Sequence, residues 1–376
     1  MRRTHHLVAF ALIGAASISL ALPALAGSPA PSVRVVQVAP LDQPVGFTFT
    51  PSGRIVYLER ATGELRLLDP RSGRDRLWHT ITGVNADGER GALGVALHPL
   101  WPRMPFAYVY VSRTPTGGAL QNQLMRLRIR DGKAVEREVL LTSPIGSRAN
   151  HNGGRVAFGP DRKLYVVIGD GGEDPDTAQT LTDEPRGKIL RLNPDGSVPA
   201  SNPFGSPAWS FGHRNSIGFA FDPVTGRLWE SENGPECNDE LNRVVEGGNF
   251  AWGPTQACGS PALPDDTNRD GPDPKRLPRF TFADTVAITG VAFCDGCGLG
   301  ASYEGDLFMG CANGTCKDTV GPVMHAAFDA GRWSLAAPPG QVLLTNYDGP
   351  VYSMEVAPTG RIYFSDGRGI YRLAPA

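Results

Sequence analysis

One unit recurs six times along this chain, and it limits the folds open to it more than any other feature. Each copy has an apolar strand, a turn that often carries Pro and Gly, a second apolar or aromatic strand, then an acidic or Gly-rich turn. The copies begin at Gly46-Phe47-Thr48-Phe49, Gly94-Val95-Ala96-Leu97, Val156-Ala157-Phe158, Gly218-Phe219-Ala220-Phe221, Gly290-Val291-Ala292-Phe293 and Met354-Glu355-Val356-Ala357. Their second segments, strand with the start of the following turn, are Arg54–Glu59, Ala107–Val111, Leu164–Asp170, Leu228–Glu232, Asp306–Met309 and Ile362–Asp366. The spacing is roughly 50–70 residues, that of a repeat array with inserted loops. Strand units repeated in this way predict an all-β fold, a six-bladed β-propeller of four-stranded antiparallel blades, which hides its sheet edges by radial repetition. Val33-Arg34-Val35-Val36-Gln37-Val38 is a strand with no unit of its own. It is predicted to close the ring as the outer strand of the last blade, beside Gly369-Ile370-Tyr371-Arg372-Leu373.

Composition narrows the setting. The chain opens Met1-Arg2-Arg3, runs apolar from Leu7 to Leu22 and reaches Ala24-Leu25-Ala26. This reads as a signal peptide over residues 1–26, with one propeller domain over 27–376. A membrane span needs about 20 apolar residues, and no stretch supplies them. The expected product is secreted or periplasmic, a monomer or homodimer. Formal net charge is −2 and no basic run occurs, which argues against nucleic acid or an acidic membrane as partner. Six Cys lie in the second half: Cys237, Cys258, Cys294, Cys297, Cys311 and Cys316. In an exported chain they read as disulfides rather than a zinc site. Cys237 with Cys258 is the expected pair, and the other four allow three connectivities.

Candidate chemistry sits in the turns. Asn150-His151-Asn152-Gly153-Gly154-Arg155 places a histidine among turn residues, in what reads as an open turn. A neutral imidazole there can serve as general base near neutral pH; a loop histidine that only bonds backbone is equally compatible. Arg214, in Gly212-His213-Arg214-Asn215, offers fixed donors to an oxyanion or carboxylate, or a structural ion pair. His98 and His213 read as structural. In Ser231-Glu232-Asn233-Gly234-Pro235 the turn carbonyls suit a hard cation such as calcium. Asp239-Glu240-Leu241-Asn242 either adds oxygens to that site or closes a turn. Glu89, in Asp87-Gly88-Glu89-Arg90-Gly91, is expected to face the same mouth.

Taken in order with Gly187-Lys188-Ile189-Leu190-Arg191-Leu192-Asn193-Pro194-Asp195-Gly196 and Gly247-Gly248-Asn249-Phe250-Ala251-Trp252-Gly253, these segments resemble the soluble quinoprotein glucose dehydrogenase and aldose sugar dehydrogenase family, also called glucose/sorbosone dehydrogenases. The likeness is strong from about residue 85 to 255. It implies a propeller holding pyrroloquinoline quinone (PQQ) and calcium, oxidising a sugar to its lactone and passing electrons to an external acceptor. It implies that His151 is the base, Arg214 stabilises charge on the quinone oxygen, and Asn215 and Asn233 contact the cofactor. Gly234 and Pro235 would bind calcium through backbone oxygens, and Glu89 and Asn150 would lie beside the sugar. The chain departs from the family where Lys and an Arg pair are expected to hold the PQQ carboxylates. It reads Met309-Gly310-Cys311-Ala312-Asn313-Gly314 and Gly349-Pro350-Val351-Tyr352-Ser353 there, with Lys317, Arg361 and Arg368 as the substitutes to check. Two other functions fit a propeller of this kind: a non-catalytic ligand- or protein-binding module, and a calcium-dependent lactonase whose carboxylates, Glu89 and Asp170, converge on the axis.

Overall fold

A computed structural model describes residues 31–146, 148–172, 175–181, 184–253, 274–312 and 321–376. The expected signal peptide over residues 1–26, and Cys258, Cys316 and Lys317, lie outside them. After β1 (Val33–Pro40) the chain builds blade after blade. Blade 1 holds β2 (Gly46–Phe49), β3 (Ile55–Leu58), β4 (Glu64–Asp69) and β5 (Arg74–Thr80). Blade 2 holds β6 (Ala92–Leu97), β7 (Phe106–Arg113), β8 (Gln121–Arg130) and β9 (Lys133–Pro144). Blade 3 holds β10 (Val156–Phe158), β11 (Leu164–Ile168), β12 (Lys188–Leu192) and β13 (Ala208–Phe211). Blade 4 holds β14 (Ser216–Phe221), β15 (Leu228–Glu232), β16 (Cys237–Val244) and β17 (Phe280–Asp284). Blade 5 holds β18 (Ile288–Phe293), β19 (Leu307–Cys311), β20 (Val323–Ala326) and β21 (Gly340–Gln341). Blade 6 holds β22 (Ser353–Val356), β23 (Ile362–Ser365) and β24 (Gly369–Pro375), with β1 as its outermost strand. Every blade is a four-stranded antiparallel sheet, so the fold is the six-bladed propeller read from the repeat. The latch is as expected: β1 pairs β24 from Val33↔Pro375 to Pro40↔Gly369.

The second strand of each blade explains why the repeat is visible. It is packed on both faces by neighbouring blades and reads as a continuous apolar run. Successive side chains point to opposite faces, so β3 sends Val56 and Leu58 toward blade 2 and Ile55 and Tyr57 toward blade 6. Likewise β11 sends Leu164, Val166 and Ile168 toward blade 2 and Tyr165 and Val167 toward blade 4. Among the described residues, six apolar clusters lie one between each pair of adjacent blades. At the axis the innermost strands crowd. A Cβ on Gly218 would stand 2.7 Å from the Thr289 carbonyl of the next blade, so the position needs glycine.

Cys294 and Cys297 form a disulfide, which selects one of the three connectivities open to the last four cysteines. Cys237 and Cys311 each take part in a disulfide as well, with partners outside the described residues. The expected pairing of Cys237 with Cys258 lies outside the described residues. Among the described residues no helix is long and apolar enough to cross a membrane.

Candidate active site

The starts of the innermost strands and the ends of the second strands meet at one mouth of the ring. They enclose a cavity of about 780 Å³. All eight residues singled out in the sequence line it: Glu89, Asn150, His151, Arg214, Asn215, Asn233, Gly234 and Pro235. Propeller geometry explains the convergence, since corresponding turns of different blades face one axis however far apart they lie in sequence.

His151 does not stand in an open turn. It is 3% exposed, packed into the floor of the cavity. Its φ of 57° is left-handed, a costly conformation for a residue with a side chain. Its backbone N–H donates to Glu89 Oε2 at 2.7 Å, and its carbonyl accepts from Gly171 N–H at 3.2 Å. Nδ1 lies 2.6 Å from Asp170 Oδ1, and Asp170 is fully buried. That carboxylate also accepts from Trp252 Nε1 at 2.9 Å and Gly172 N–H at 3.0 Å. A carboxylate accepts only, so Nδ1 carries the proton and the basic atom of the ring is Nε2.

Arg214 is built the same way one blade on. Its backbone N–H donates to Glu232 Oε1 at 2.8 Å. The other oxygen of Glu232 lies 2.8 Å from His213 Nδ1, and His213 Nε2 lies 2.9 Å from Ser210 Oγ. Burial alone would hold His213 neutral; Glu230 and Glu232 outweigh it and push its pKa up to about 9. The Arg214 guanidinium lies 5.3 Å from the Trp252 ring centre. Its Nη1 donates to Asn233 O at 2.9 Å and Gly234 O at 2.8 Å.

Those carbonyls therefore already converge on one cationic group, as hard-cation ligands must. Asp239 does not add an oxygen to them. It accepts from Gly234 N–H at 2.8 Å, Val286 N–H at 2.8 Å and Ala287 N–H at 2.6 Å, and so pins the turn from behind. Burial pushes its carboxyl up to about 6 against those three bonds.

The walls also carry polar atoms without partners. Asn150 Oδ1, Asn215 Oδ1 and Asn233 Oδ1 are buried with no hydrogen-bond donor. A buried acceptor left open costs free energy unless a ligand supplies the donor. Charge on the wall comes from Arg60, Arg155, Arg214 and Glu89. Arg60 and Arg155 were not foreseen. Of the substitutes considered, Arg361 and Arg368 do not line the cavity, and Arg368 reaches Asp366 at 3.5 Å.

Sequence reasoning also missed Asp170 as the partner of His151, although a spacing carries it. His151 and Asp170, His213 and Glu232, and Tyr347 and Asp366 are each nineteen residues apart and hydrogen-bonded. Each pair joins a residue before an inner strand to a carboxylate at the end of the next strand.

The Glucose / Sorbosone dehydrogenase family profile matches residues 41–367. The chain belongs to this family. It is 35% identical over 243 residues to quinoprotein glucose dehydrogenase B of Acinetobacter calcoaceticus, covering 56% of this chain and 50% of that protein. The chain thus aligns with half the length of that relative. It is 31% identical over 272 residues to the aldose sugar dehydrogenase YliI of Escherichia coli, covering 67% of this chain and 71% of that one. The PQQ-bound aldose sugar dehydrogenase of Streptomyces coelicolor superposes with a TM-score of 0.74 at 28% identity, over 92% of this chain and 99% of that one.

Proposed function

We propose that the protein is an exported, PQQ- and calcium-dependent aldose dehydrogenase that oxidises the anomeric hydroxyl of a sugar to a lactone. The observation that carries this reading is His151, held from behind by Asp170, lining the same cavity as Arg214. The family relatives whose names specify quinoprotein, PQQ or aldose support it.

The residues present fit the two groups. Gly234 O, already facing a cation, and Pro235 O would hold calcium; Arg214, Asn215 and Asn233 would contact PQQ. When bound, PQQ would supply the hydride acceptor and calcium the Lewis acid that helps it accept. His151 Nε2 takes the hydroxyl proton, and the electron pair of the breaking C–H bond leaves as the new C=O forms. Asp170 stabilises the imidazolium and keeps the ring in the productive tautomer. Arg214 would bring positive charge to the cavity wall, able to offset negative charge that develops on the acceptor. Asn150, beside His151, offers its open amide oxygen to a sugar hydroxyl.

A wall without cations would favour a binding module; this wall carries three guanidinium groups. A lactonase needs side-chain carboxylates converging on a metal. Among the described residues Glu89 is the only carboxylate on the wall, and Asp170 is buried behind His151. The test is to titrate the purified protein with PQQ in calcium, then follow dye reduction and lactone formation with a panel of neutral aldoses. Saturable binding, sugar-dependent reduction and loss with chelator are expected. Absence of binding at micromolar PQQ sinks the reading.

A further inference from the structure

A cofactor with three carboxylates needs cations, and the wall offers three that are not equivalent. Arg155 is already neutralised: its Nη2 lies 2.7 Å from Glu355 Oε1, and it also donates to Ser353 Oγ and Met354 O. Arg214 is committed to the Asn233 and Gly234 carbonyls. Arg60 differs. Its guanidinium donates to Gln43 Oε1 at 3.1 Å, to Ala86 O at 2.9 Å and to Gly88 O, all neutral acceptors. Among the described residues no carboxylate lies within ion-pair distance of it. A half-buried guanidinium held by dipoles alone keeps its whole charge for the cavity.

Its place is telling. Arg60 N–H donates to Gln43 O at 3.1 Å, and Gln43 N–H donates to Gly367 O at 3.2 Å. A Cβ on Gly367 would stand 3.6 Å from Tyr352 Cε2. Arg60 therefore adjoins the blade 6 wall, where Tyr352 and Ser353 stand and where the family resemblance leads one to expect an Arg pair.

We propose that Arg60, from blade 1, is the cation that anchors a ligand carboxylate at this mouth, and that the carboxylate belongs to PQQ. The inference rests on the PQQ reading above. An acidic sugar would offer the same chemistry, so the experiment separates the two sources. Full-length protein in calcium and without sugar is titrated with PQQ and with PQQ trimethyl ester, read by tryptophan fluorescence quenching, for wild type, Arg60→Gln and Arg60→Lys. Charge-assisted bonds of this kind predict roughly 10- to 100-fold weaker PQQ binding by Arg60→Gln, with Arg60→Lys between. The ester, which has no charge to pair, is expected to bind both proteins within about 3-fold. Unchanged PQQ affinity in Arg60→Gln overturns the proposal and leaves the dehydrogenase reading standing. Equal loss for PQQ and ester also overturns it, because the side chain then acts only by holding the loop at Ala86 and Gly88. So does unchanged PQQ affinity together with selective loss of glucuronate over glucose oxidation, which moves the carboxylate to the sugar. Failure of the wild type to bind PQQ takes down both readings.

Discussion

The two halves of the cavity mouth are built on different terms. On the blade 3 and 4 side each working group is fixed from behind by a buried carboxylate: His151 by Asp170, the Arg214 backbone by Glu232, and the Gly234 turn by Asp239. On the side of blades 5, 6 and 1 the wall is mostly small or neutral, with Thr289, Ala312, Tyr352 and Ser353, and its fully charged group is Arg60. The first half holds its groups by several hydrogen bonds, as the proposed proton transfer would require. The second has fewer constraints, since a charge pair tolerates several placements of its cation. On the proposed reading, chemistry can thus stay in place while anchoring moves between blades.

This contrast can be broken experimentally, most strongly at the base. His151→Ala is expected to lower kcat roughly 10³-fold while PQQ affinity, by titration, stays within about 2-fold. A variant with full activity would place the base elsewhere. Next, Asp170→Asn should cost roughly 10²-fold in kcat, with little change in KM and a displaced acid limb of the pH–rate profile, because the amide no longer selects the Nδ1–H tautomer. Asp366→Asn, at the matching position of blade 6, should change kcat by less than about 3-fold; equal losses at both positions would erase the distinction. Glu89→Ala should lower kcat by roughly 10-fold by releasing the strained His151 N–H, and Glu89→Gln, which keeps an acceptor, by only about 2- to 3-fold. Similar losses in the two variants would mean that the charge matters and not the bond.

The smallest effect concerns stability. His213 has a raised pKa, so its contribution is complete below about 6.5 and is lost as pH climbs through about 9. Wild-type melting temperature should fall by a few degrees from pH 7 to 9.5. His213→Gln should melt lower at pH 7 and show a flatter profile across that window. A wild type with no slope there would place the imidazole charge outside the folding balance.

The blades were legible because their second strands are buried on both faces, so Ile55–Leu58 and Leu164–Ile168 stand out as unbroken apolar runs. The mouth residues were legible only as an ordered set: taken alone, the turns left His151 open as a backbone-bonding loop histidine and Arg214 as an ion pair, and the resemblance of the whole series of segments singled them out. Asp170 was missed because a carboxylate after Ile168-Gly169 looks like ordinary turn chemistry; only the nineteen-residue spacing shared with His213–Glu232 and Tyr347–Asp366 gives it away. Arg60 had no signal of its own. It follows Glu59 in a polar turn, and its value comes from Gln43 and Gly367, neighbours brought in by ring closure. The burial of His151 was unreadable for a related reason, since the groups that cover it come from residues 89, 170 and 171.

The same closure sets a timetable. In β1 the chain makes one side of blade 6 first, and its partner β24 last. Synthesis from the N-terminus leaves β1 unpaired until almost the whole chain is available, and closing so long a loop is entropically slow. Closing the ring therefore needs both strands at once: the sixth blade is a clasp that joins segments from opposite ends of the described residues.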